Sequence, residues 1–341
     1  MTGDFIGTDD PRWLEALERL PHDVYQRPEY VGMCGRLEGA EPLAFHAKGA
    51  EGELLVPLLI RPAGEAAGRR FVDATAPYGY AAPVISAGAD ADALLDAFSD
   101  ACRARGLVSA FLRLHPLLDF PVTRLERFGK VVHHGRVVAI DLRKSCDQLR
   151  KEIRSNHRRG IQTLVDQGFH VRIDDWSFYD AFIEAYYATM HRVSASSIYF
   201  FSRAYFDAVR EELQPHVHLF AVCAPGGELA AGGIFFATSG IVQYHLGGTS
   251  DQHLHAAPSK LMFNEAMRWG HEGGLRFLHL GGGVGGREDS LFKFKAGLGS
   301  NDSTAHFHTA RLIFDREAYD LLVQSRPTPP ADPEFFPLYR A

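Results

Sequence analysis

Apolar positions along the chain switch between helical and extended spacing, and the switches mark out its elements. Behind Asp10-Pro11, a helix-start dipeptide, Trp13, Leu14, Leu17 and Leu20 fall at helical spacing. A polar and aromatic loop from His22 to Tyr30 feeds a second helix. Residues 42–47 and 53–60, the latter carrying Leu54-Leu-Val-Pro-Leu-Leu-Ile60, predict two strands. Asp73-Ala-Thr-Ala-Pro-Tyr-Gly-Tyr80 predicts a turn, with Tyr78 and Tyr80 either packed or facing a ligand. An amphipathic helix over 91–105, a buried strand over 109–114 and a strand over 135–142 complete a mixed first half.

In the second half, Leu149, Ile153, His157 and Ile161 recur every four residues and predict one helix over 145–167. A strand over 169–173, a helix over 179–193 and a helix ending at Leu213 follow. Three strands over 217–224, 228–238 and 241–246 are joined by Pro225-Gly-Gly and Ser239-Gly, which are hairpin turns. A helix over 258–272, strands over 276–280 and 304–314 and a helix over 316–325 close the pattern. Residues 327–341 are Pro-rich and expected to be extended. The order predicts an α/β chain with α+β mixed sheets.

Composition narrows the class. A chain of 341 residues, 46% hydrophobic and 23% charged, can bury two separate cores. Cys34, Cys102, Cys146 and Cys223 sit far apart without a C-x-x-C, which favours reduced thiols and a cytoplasmic protein. The first residues lack the basic and apolar regions of a signal peptide, and no apolar run approaches the roughly 18 residues of a membrane span. The formal net charge of −6 argues against a whole-surface nucleic-acid binder but leaves room for a local basic patch. Such a patch exists: Arg143, Lys144, Arg150, Lys151, Arg154, Arg158 and Arg159 crowd one segment. It serves either as a solvated helix face or as a polyanion contact, with Arg154, Arg158 and Arg159 the best phosphate contacts.

The stretch most suggestive of chemistry is 278–299. A short apolar strand runs into glycines at 281, 282, 283, 285 and 286, then Arg287-Glu-Asp-Ser, then Lys293, Phe294 and Lys295. Glycines here let another molecule approach the main chain, so the stretch is expected to form a flexible active-site wall. Gly281–Gly286 fits a G-x-G-x-x-G dinucleotide fingerprint once, but no helix is predicted to open on it and no βαβ unit follows. His279 at the strand end is read as a buried residue bonded to backbone. The remaining histidines show no H-x-x-x-H or H-E-x-x-H arrangement, so no metal is expected.

Particular residues carry a family resemblance. Arg154-Ser-Asn-His-Arg-Arg-Gly160, Thr189-Met-His-Arg192 with Tyr199-Phe-Phe201, Tyr244-His-Leu-Gly-Gly-Thr249, Ala257-Pro-Ser-Lys-Leu261 and Phe294-Lys295-Ala-Gly297 resemble the FemABX branch of the GNAT acyltransferases. The likeness covers about 146–314 well and the first half loosely, through Tyr25–Tyr30 and Ala76–Tyr80. It implies two tandem GNAT-like domains, over 1–145 and 146–314, with the segment 315–341 returning to pack on the first. It also implies transfer of an aminoacyl group from aminoacyl-tRNA to the amine of a small molecule or peptide, such as an antibiotic or cell-wall precursor, with no other cofactor.

By the same resemblance, Phe294 and Lys295 flank the ester: Lys295 meets the developing oxyanion or the terminal phosphate, and Phe294 packs on the adenosine or acyl group. Asp289 and Glu288 are candidates to hold or deprotonate the acceptor amine, or else pair with Arg287 or Lys293. Arg192, Tyr199, Tyr244, Tyr78 and Tyr80 are expected at the acceptor. Arg154, Arg158, Arg159, Lys293 and Arg287 are expected at the tRNA phosphates. An acetyl-CoA donor usually sits on a glycine loop at a helix N-terminus. The matching stretch, 249–261, has no glycine after Gly248 and carries Pro258, which lacks an N–H. Acyl-CoA-dependent N-acetyl transfer is therefore the alternative, and a non-catalytic tandem binding module the second.

Overall fold

Local capping sets the first elements. In the computed structural model, which describes residues 3–328 and 332–341, Pro11 opens α1 (Pro11–Arg19) and the Asp10 carboxylate accepts from the Arg12 N–H. The chain clusters into two compact units: Met1–His134 with Phe307–Ala341, and Gly135–His306. Unit 2 thus runs over 135–306, beside the expected second domain over 146–314 with 315–341 on the first.

Unit 1 continues from β1 (Gly3–Gly7) and α1 through α2 (Pro28–Glu38), β2 (Glu41–Gly49), β3 (Gly52–Ala66), β4 (Arg69–Thr75), β5 (Val84–Ile85), α3 (Ala91–Ala104), β6 (Leu107–Leu114) and the start of β7 (Gly129–Asp141). Unit 2 follows with α4 (Cys146–Glu152), α5 (Ser155–Asp166), β8 (His170–Ile173), α6 (Tyr179–Arg192), α7 (Arg203–Glu212), β9 (Val217–Cys223), β10 (Leu229–Thr238), β11 (Ile241–Thr249), α8 (Ser259–Glu272), β12 (Phe277–Gly281), α9 (Ser290–Ala296) and the start of β13 (Thr304–Ile313). The rest of β13 and α10 (Arg316–Gln324) belong to unit 1.

The two units share one element order: strand, two helices, three antiparallel strands, helix, then a strand parallel to the last of the three. In unit 1 the strands run β1-β2-β3-β4-β6-β13, with β5 on β3; in unit 2 they run β7-β12-β11-β10-β9-β8. Phe45, Val56, Leu58, Phe98, Leu112 and Leu312 lie in the core of unit 1. Phe220, Phe235, Val242, Phe263, Met267 and Leu280 lie in that of unit 2. Helix α10 buries Ala318, Tyr319 and Leu322 against Ala66, Phe71 and Val108.

Strands β1 and β5 were not expected, and three further elements differ from the sequence reading. Strand β4 was expected only as a turn from Asp73. Its fifth residue is a fully buried Asp73, which breaks the apolar pattern and is neutralised by Arg61 and Arg340. The single helix over 145–167 is two, because Ile153 and Arg154 take extended ψ of 130° and 143°. Arg158 holds the break: its guanidinium donates to the carbonyls of Lys151 at 2.8 Å and Ile153 at 2.5 Å, capping α4. The glycine stretch ends in helix α9, whereas no helix was expected to open on it. Of the tail, Leu338–Arg340 forms a short helical turn, and residues 329–331 lie outside those described.

Candidate active site

The parallel strands of unit 2 part company. Strands β11 and β12 pair only from Ile241↔Phe277 to Gln243↔His279. Beyond that, β11 stays on β10 while β12 stays on β7. A bulge at His245 helps turn β11 away, since Phe235 faces Tyr244 and Ile234 already faces Leu246. His245 is buried there with Nε2 2.7 Å from the Tyr205 hydroxyl, and burial pushes its pKa down to about 3, so it stays neutral. In unit 1 the equivalent strands do not part: Thr75 still faces Phe111, and the Ala76 N–H donates to the Phe111 carbonyl.

Lys295 spans the mouth of this gap. Its Nζ donates to the carbonyl of Gly282, just past β12, at 2.9 Å. The same atom lies 5.5 Å from the centre of the Tyr244 ring, the first β11 residue beyond the pairing. Lys295 is only 7% exposed, and burial lowers its pKa to about 8, with the charge of Asp289 working the other way. Tyr244 itself packs edge-on against Phe263 at 4.9 Å, and its hydroxyl reaches over Gly247, where a Cβ would clash with it. Gly248 is equally constrained, because a Cβ there would meet the backbone of α6 at 2.5 Å.

Helix α9 presents Lys295, and the glycine stretch shapes its start. Asp289 caps it, accepting from the N–H groups of Phe292 and Val284 at 2.9 Å each, and these bonds hold its carboxyl below the usual range. Asp289, expected at the acceptor amine, thus serves as the cap of α9. Glu288 pairs with Arg136 at 2.7 Å, not with Arg287 or Lys293. Arg287 reaches the Val284 carbonyl at 3.3 Å. Phe294 packs 5.4 Å from His157 and 6.2 Å from Phe263, so it is a wall beside Lys295.

The basic segment divides by role. Arg158, expected at the phosphates, has its guanidinium on the carbonyls that end α4. Arg154 donates to the Lys293 carbonyl at 3.2 Å with the rest of its head exposed. Arg159 and Lys293 are exposed and make no ion pair among the described residues. Lys260, which the sequence reading did not single out, lies half-buried against Gly160 of α5.

The acceptor candidates are scattered. Arg192 ends α6, where it pairs with Asp251 and donates to the Thr189 hydroxyl at 2.9 Å. The Tyr199 carbonyl is held by the Tyr186 hydroxyl. Tyr78 and Tyr80 belong to unit 1: the Tyr30 hydroxyl donates to the Tyr78 carbonyl at 2.9 Å, and the Tyr80 ring packs on Tyr25, His115 and Phe307. His279 is fully buried, with Nδ1 2.5 Å from the Gln243 side chain. Among the described residues no group of three or more ligating side chains could hold a metal, and no helix is long and apolar enough to cross a membrane.

The start of α8 bears on the donor. The N–H groups of Lys260, Leu261 and Met262 are turned onto the carbonyls of Ala257 and Pro258. The first turn therefore spends its donors internally, and few remain for a pyrophosphate.

The parted parallel pair with helix α8 crossing between its strands is the arrangement of a GNAT-like fold. Residues 147–293 match the family model described as an acetyltransferase (GNAT) domain. The chain is similar to the crystal structure of FemX, with TM-score 0.69, 14% identity, and coverage of 94% of this chain and 99% of that one. It is also similar to the C-terminal domain of a putative lysylphosphatidylglycerol synthetase from Agrobacterium fabrum, with TM-score 0.54, 14% identity and coverage of 92% and 93%. L-PGS from Bacillus licheniformis is similar too, with TM-score 0.54, 14% identity and coverage of 90% and 93%. No curated protein matches the sequence. The fold is Fem-like.

Proposed function

We propose that the protein forms an amide by moving an aminoacyl group from aminoacyl-tRNA to an amine. The observation that carries this reading is Lys295, buried at the gap between β11 and β12 with its Nζ between Gly282 and Tyr244. An ester carbonyl seated there takes the attack of a neutral amine on its carbon, and the carbonyl oxygen becomes an oxyanion. The Lys295 ammonium stabilises that oxyanion in a dry setting, where such a charge is worth most. The C–O bond to the ribose then breaks, the ribose oxygen gains a proton, and the nitrogen loses one. Phe294 packs on the acyl or adenosine group, while Arg154, Arg159 and Lys293 meet the phosphates behind it. FemX and two proteins named for lysylphosphatidylglycerol synthesis share the fold, which agrees with an aminoacyl payload.

The spent N–H groups at the start of α8 favour tRNA over coenzyme A as donor. The match to an acetyltransferase model favours the second reading, acyl-CoA-dependent N-acetyl transfer. Separate titrations with charged tRNA and acetyl-CoA, read by mass shift on a panel of amines, decide between them. Transfer from charged tRNA is expected. Saturable micromolar binding of acetyl-CoA with acetyl transfer would overturn the first reading.

A further inference from the structure

We propose that His157 is a positioning residue for Lys295: from α5 it grips the last turn of α9 and so fixes where the lysine side chain lies. Helix α9 is seven residues long, too short to hold its shape without outside contacts. Its C-terminal carbonyls are taken from one place. The Phe294 carbonyl accepts from His157 Nε2 at 3.0 Å, the Lys293 carbonyl from the Arg154 guanidinium at 3.2 Å, and the Gly297 carbonyl from the Arg154 N–H at 2.9 Å. Phe294 and Lys295 are adjacent, so the grip acts one peptide unit from the lysine.

The His157 ring also fills the space where a side chain at 297 would stand. A Cβ on Gly297 would lie 2.8 Å from His157 Nε2, although the backbone there, at φ −71°, suits any residue. The glycine is thus needed for the histidine, not for its own conformation. A carbonyl only accepts, so Nε2 carries the proton. His157 is buried, and desolvation, with Lys260 and Arg154 nearby, lowers its pKa and keeps it neutral. Its other nitrogen, Nδ1, lies 3.1 Å from the Asn156 side chain. None of these contacts reaches the gap itself, which makes His157 a support rather than a reacting group.

The inference rests on the reading of Lys295 as the acting group, but its test does not need the reaction. Trace acetylation of the full-length protein across pH, with Lys295 followed by mass spectrometry, gives the pH at which its amine half-titrates. The wild-type midpoint is expected near 8. His157→Leu, which keeps bulk and loses the donor, and Gly297→Ala, which displaces the ring, are each expected to raise it by at least one pH unit. His157→Gln, whose amide can stand in for Nε2, is expected to restore it. With a charged-tRNA substrate, His157→Leu is expected to lower kcat about tenfold with KM little changed. If the leucine variant fails to fold, Gly297→Ala against wild type carries the comparison. A wild-type midpoint at the ordinary lysine value, an unmoved midpoint in the folded variants, or no rescue by glutamine would each overturn the proposal. A moved midpoint without any transfer from charged tRNA would leave the positioning role and overturn the proposed reaction.

Discussion

Lys295 is a buried base that the fold holds at a cost to its own stability. Its pKa in the folded chain, about 8, lies below the ordinary lysine value of 10.5. Between those values the unfolded chain binds more protons than the folded one, so stability from this group rises with pH through that window and is lowest below 8. Lys295→Met is therefore expected to stabilise the protein at pH 7 by roughly 1–3 kcal/mol, with the gain fading toward pH 10.5. Urea titrations at the two pH values measure it. The same variant should lose transfer activity by about two orders of magnitude, as removal of an oxyanion donor does elsewhere. In the wild type, kcat should fall as pH rises through about 8, because the ammonium form is the one that stabilises the oxyanion. A flat profile above 8 would exclude that role.

The elements of unit 2 show what hydrophobic spacing can and cannot convey. The β9–β11 hairpins were legible because Pro225-Gly-Gly and Ser239-Gly name their own turns. The break between α4 and α5 was not, because the apolar stripe runs through it and the break is made by the polar head of Arg158. Lys295 stood out from its aromatic neighbours, but its partners, a carbonyl at 282 and a ring at 244, are set by the bulge in β11. Two neighbouring arginines should accordingly separate by assay. Arg158→Ala is expected to cost about 1 kcal/mol in thermal or urea unfolding through loss of the cap. Arg159→Ala should leave stability within about 0.5 kcal/mol and weaken binding of the charged donor, most at low salt. Gly248→Ala should destabilise by about 2 kcal/mol or more, since its methyl meets α6 backbone at 2.5 Å.

Across the whole molecule, each unit repeats one topology but only one opens its parallel pair. Unit 1 keeps β4 paired with β6 to its last residue, Thr75, and the turn that follows carries Tyr80, whose ring packs on Tyr25 as Tyr30 does. Strand β4 escaped the sequence reading for a related reason: the partner that makes its buried Asp73 tolerable is Arg340, 267 positions away, with the Tyr339 hydroxyl adding a bond at 3.0 Å. Deleting Tyr339–Ala341 leaves that buried carboxylate with Arg61 as its remaining partner among the described residues. The deletion is expected to lower the stability of unit 1 by about 3–5 kcal/mol, and Asp73→Asn in the same background should recover part of it. Calorimetry of the two proteins checks both.

The chain's crossing from unit 1 to unit 2 and back has a consequence for how the protein is made. Residues 135–306 are contiguous, so a nascent chain can complete unit 2 as soon as they leave the ribosome. Residues 1–134 precede β13 and α10 by the whole of unit 2, and meanwhile hold the edge of β6 and the apolar patch around Phe71 and Val108 uncovered. An expressed fragment ending near 134 should therefore aggregate, whereas 135–306 is the piece with a chance of folding by itself. Unit 1 can close only after the whole of unit 2 has been made.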